Sequence, residues 1–90
     1  MDRDKEFLKL LTKCKETLQK YMPDHPDQKR RYELMIKSIK GLSYTAKQGK
    51  VYTKLRFVQV TYMINRNDPE ELIDAVVNLD KFYADNYRKI

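Results

Sequence analysis

Residues 51–66 run VYTKLRFVQVTYMINR, and the reading of this stretch decides the fold. As an α-helix it places Val51, Leu55, Val58 and Tyr62 on one face, the spacing of a stripe that packs on a core. As a strand it alternates Val58, Val60, Tyr62 and Ile64 with Gln59, Thr61 and Met63, and β-branched and aromatic residues dominate it. The helical reading predicts an all-α, antiparallel four-helix bundle. The strand reading predicts three helices plus a β-hairpin around residues 42–57, turning at Lys47–Lys50. The helix is preferred on two grounds. A two-stranded hairpin is marginal by itself, and the apolar stripe of the preceding segment runs on through Ala46.

The flanking segments are easier. Downstream, Asp68-Pro69-Glu70-Glu71 supplies a carboxylate N-cap, a proline at the first helical position and a glutamate three residues after the cap. Leu72, Val76, Leu79, Tyr83, Tyr87 and Ile90 then share one face, opposite Glu70, Asp74, Asn78, Lys81 and Asp85. Upstream, Tyr32, Met35, Ile36, Ile39, Leu42 and Ala46 form a helical stripe that opens at an Asp24 or His25 cap with Pro26 in the first turn. Gly49 is its expected stop, and Gly41 lies inside it at a cost of ~1 kcal/mol relative to alanine, with room for a close neighbour. The first segment, about residues 3–22, spaces Phe7, Leu10, Leu11, Cys14, Leu18, Tyr21 and Met22 as a helix that Pro23 ends.

The 90 residues are expected to form one domain spanning residues 1–90, with no room for a deep substrate cavity beside the core. Hydrophobic residues are 41% of the chain, enough for a core and too many for a disordered segment. The single cysteine, Cys14, cannot form an internal disulfide, and its place in the first stripe makes it an inert core thiol. No apolar run approaches the ~18 residues of a transmembrane helix, and Met1–Glu6 is too charged for a signal peptide. A cytoplasmic location is therefore expected. The lone His25 stands at a helix start, where capping explains it. No Cys or His cluster has metal-ligand spacing, and no glycine-rich loop could cradle phosphates. The expectation is a protein that is no enzyme and uses no cofactor, metal or small-molecule substrate.

The charge pattern points to binding. Net charge is +6 and uneven: residues 49–66 carry four basic and no acidic side chains, whereas residues 67–90 carry three and six. Such a field attracts nucleic acid, anionic lipid or an acidic protein surface. The candidate anion-binding residues are Lys37, Lys40, Lys47, Lys50, Lys54 and Arg56. Lys47, Lys50 and Lys54 would cluster at the corner where a third helix begins and offers its free N–H groups. The candidate partner-binding residues are Phe57, Val60 and Ile64, a second apolar stripe on that helix, joined by Tyr44 and Tyr52, which lie off the core stripes beside lysines.

The leading expectation is a protein-binding module (an adaptor, an inhibitor, an immunity-type protein or a homodimer) that uses this patch and its cationic rim. In size, basic charge and helical format the chain resembles small bacteriocin-immunity proteins, a likeness that no motif carries. The alternative is an accessory protein that holds nucleic-acid phosphates without reading sequence, since neither a helix-turn-helix nor an RNP-type motif is present. Binding to a membrane surface ranks third.

Overall fold

Phe7, Leu11, Cys14 and Leu18 recur every three or four residues, and all four are fully buried. They form the inner face of α1, Arg3–Lys20, in a computed structural model that describes residues 3–51 and 59–88. Two further helices close over it: α2, Pro26–Lys47, and α3, Glu70–Tyr83, which runs on into a π-helical turn at Ala84–Arg88. Tyr32, Met35, Ile39 and Ala46 of α2 join the core, as do Leu72, Ala75, Val76, Leu79 and Tyr83 of α3. Thr17, the one buried polar residue among those described, satisfies its hydroxyl by donating to the Lys13 carbonyl at 2.7 Å.

Helix α1 is antiparallel to both partners. At its C-terminal end the Lys20 ammonium reaches Glu71 at 3.2 Å, at the start of α3. At the opposite end Arg3 donates to the Asn86 carbonyl at 2.6 Å, and the Tyr87 hydroxyl donates to Asp4 at 2.5 Å. Around that contact Phe7, Phe82, Tyr83 and Tyr87 form an aromatic cluster with ring centroids 5.1–6.4 Å apart. Helix α2 starts beside the end of α1 after a short turn and finishes near Asp4, so α2 and α3 run parallel. The connection between them must therefore return along the bundle, a distance of ~33 Å for the 22 residues of α2.

The region from which the sequence predicted a third helix lies in this connection. Its described part is a 3-10 turn, Gln59–Tyr62, followed by turns leading to α3. Three α-helices are therefore present among the described residues, and the fold is all-helical without a four-helix bundle being formed by them. The hairpin alternative fails at its first strand, because residues 42–47 continue α2. Two local reasons favour a tight turn over a regular helix: Val60, Thr61 and Ile64 are β-branched, and Asn65-Arg66-Asn67 breaks the segment directly after them.

The Asp68 cap is a further correction. The N-cap of α3 is Pro69, whose carbonyl accepts from the Leu72 and Ile73 N–H groups. The Asp68 carboxylate turns instead to Arg31, with contacts of 2.5 and 2.9 Å, to the Tyr32 hydroxyl at 3.1 Å and to the Asn65 N–H at 2.7 Å. Arg31 also donates to the Met63 carbonyl at 2.7 Å, so the start of α2 is clasped to the returning connection. His25 is the N-cap of α2 without a side-chain bond, and Pro26 occupies its first turn. Gly49 adopts φ +67° as a helix stop should, whereas Gly41 faces open space and admits no close neighbour.

Candidate anion-binding groove between α1 and α2

Leu8, Leu11, Thr12 and Lys15 follow one ridge of α1, and Ile39, Lys40, Ser43, Tyr44 and Lys47 follow the facing ridge of α2. Leu11 and Ile39 close the core between the two helices. Above them the short side chains of Thr12 and Ser43 leave an open groove of about 280 Å³. Leu8, Leu11 and Ile39 give it an apolar floor, and Lys15, Lys40 and Lys47 give it a cationic rim. Tyr44 stands at that rim with 65% of its surface exposed.

No carboxylate among the described residues lines the groove. The ion pairs among the described residues employ Lys9, Lys20 and Arg31, so Lys15, Lys37, Lys40, Lys47 and Lys50 carry uncompensated charge. The sequence explains why. From residue 34 to residue 67 there are seven lysines and arginines and no aspartate or glutamate. Of the carbonyls at the end of α2, which would repel an anion, those of Thr45 and Ala46 are occupied by the N–H groups of Gln48, Gly49 and Lys50.

Three of the sequence-predicted residues, Lys40, Tyr44 and Lys47, therefore meet in one groove. Lys37 and Lys50 are exposed but do not line it. Tyr52, Lys54, Arg56 and Phe57 lie outside the described residues, and so does the corner at which a third helix was to offer its N–H groups. Val60 contradicts the exposed-patch reading: it is fully buried, because the 3-10 turn directs it into the core. Ile64 is half-buried and packs against that same core. The sequence reading missed Lys15, Thr12 and Ser43. Their signal was the i, i+3, i+4, i+7 line of Leu8, Leu11, Thr12 and Lys15, which places a lysine at the edge of a core ridge.

A second cleft, of about 360 Å³, lies over Tyr21, Gln28, Arg31, Tyr32 and Asp68. Its cation is already used. Arg31 is held by Gln28, the Met63 carbonyl and Asp68, and burial together with the Asp68 hydrogen bond pushes the Tyr32 hydroxyl up to about 12. Burial likewise raises the Cys14 thiol to about 12, leaving it protonated and unreactive. Among the described residues no cluster of His, Cys, Asp and Glu could hold a metal ion, and no helix is long and apolar enough to cross a membrane.

Comparison with protein-family models, with curated proteins and with solved structures returns no match. The function is therefore argued from the groove.

Proposed function

We propose that this protein is a non-enzymatic accessory domain that holds the phosphates of a nucleic-acid backbone on its α1–α2 face, without reading base sequence. The observation that carries this reading is the groove lined by no carboxylate of the described residues and rimmed by three unpaired lysines, with Lys37 and Lys50 exposed elsewhere on the same stretch of chain. Lys40 and Lys47 are separated by ~10 Å along α2, the rise of about three nucleotides along one strand of a duplex. A protein partner is the second reading, supported by the exposed Tyr44 ring. It is weakened because Val60 and Ile64, two of the three apolar anchors it relied on, belong to the core or pack on it.

The test is fluorescence anisotropy of labelled oligonucleotides across a salt series. With three to five lysines on phosphates, log K should fall with log salt at a slope of about −2 to −4.5, and scrambling the sequence should change nothing. Lys40→Gln and Lys47→Gln should each flatten the slope by roughly 0.7–0.9. Absence of binding at about 50 mM salt would sink the reading. A salt-resistant self-association seen by sedimentation would put the protein-partner reading in its place.

A further inference from the structure

The groove contains more than phosphates need. A phosphate is served by the lysine rim, yet the lining also offers the half-buried side chain of Leu8 and an aromatic ring, Tyr44, that is 65% exposed. Among the described residues the Tyr44 ring makes no hydrogen bond, ring contact or cation–π contact. An exposed apolar ring set between two cations one helical turn away on either side, Lys40 and Lys47, matches a strand whose bases are accessible beside its phosphates. A duplex keeps its base faces stacked within the helix and would leave the Tyr44 ring in water.

We infer that the groove takes single-stranded nucleic acid, with one unstacked base lying against Tyr44 and the flanking phosphates on Lys15, Lys40 and Lys47. This rests on the phosphate-binding reading and adds to it a base-stacking position and a preference for strand over duplex. Neighbouring nucleotides are held through their phosphates alone, so the stacked position carries no base identity.

The experiment compares three labelled probes of about 12 nucleotides at one salt concentration: a single strand, its duplex, and a strand with the same phosphates and abasic sugars. The intact single strand should bind tightest. Tyr44→Ala should weaken it by roughly 5- to 100-fold and leave duplex and abasic strand within about twofold, while Tyr44→Phe retains the affinity. The exposed position of Tyr44 leaves the fold intact in both variants, which far-UV circular dichroism checks. If the duplex binds as well as the strand, or Tyr44→Ala changes nothing while Lys40→Gln still weakens binding, the stacking inference is wrong and the phosphate reading survives. If none of the probes binds, both fall together.

Discussion

Replacing Asp68 with alanine would test the main tertiary clasp of the molecule. The Asp68 side chain is 5% exposed and accepts from both terminal nitrogens of Arg31, the Tyr32 hydroxyl and the Asn65 N–H. Deleting it leaves a guanidinium and two neutral donors without their acceptor. Removing one partner of a buried pair costs about 3–5 kcal/mol. Arg31 keeps 22% of its surface and its bonds to Gln28 and the Met63 carbonyl, which sets the expectation at the low end, about 3 kcal/mol. For a domain of this size that lowers Tm by roughly 12–24 °C.

The assay is urea and thermal unfolding followed by far-UV circular dichroism, with Asp68→Asn as the isosteric companion. The pH dependence carries a second check. Burial pulls the Asp68 carboxyl upward, but the Arg31 hydrogen bonds, the Asn65 N–H and the Tyr32 hydroxyl outweigh burial and hold it below the usual carboxylate range. A carboxyl depressed by folding contributes its full stability above the unfolded value of about 3.9, and loses it as pH falls through the folded value. The gap between wild type and Asp68→Asn should therefore narrow below about pH 4. A cost under about 1 kcal/mol, or a gap indifferent to acid, would place the clasp among ordinary surface ion pairs and refute the argument.

Two other outcomes follow from the same structure. Gly41→Ala, in open space on a regular helix, should stabilise the protein by about 1 kcal/mol, while Gly49→Ala, at φ +67°, should destabilise it by about 1–2 kcal/mol; equal effects in one set of melts would contradict the backbone assignment. The Cys14 thiol should resist a thiol-specific reagent at neutral pH until urea unfolds the chain, and rapid labelling of the native protein would show that α1 does not bury it.

The groove was legible only in part. Lys40, Tyr44 and Lys47 could be aligned from helical spacing alone, because a regular helix fixes which of its own residues share a face. Their company could not. Lys15 belongs to another helix, and which ridge of α1 meets which ridge of α2 depends on how the two pack. Val60 failed for the converse reason. An apolar residue in an irregular segment has no period to assign its side, and the core decided it.

By itself the sequence determined α1, α2 and α3, nearly to their ends. Their stripes repeat at 3.6 residues, prolines and Gly49 punctuate them, and each signal is complete within one turn of chain. The cationic character of residues 34–67 was equally explicit, since charge is counted without coordinates. Only the tertiary structure decided that α2 and α3 run parallel. It also decided that Asp68 abandons a helix cap for Arg31, thirty-seven residues away, and that the acid-free stretch lines a groove with Lys15. Each of these joins residues distant in sequence. The local cap offers Asp68 a backbone N–H, whereas the clasp offers it a guanidinium, a hydroxyl and an N–H at once.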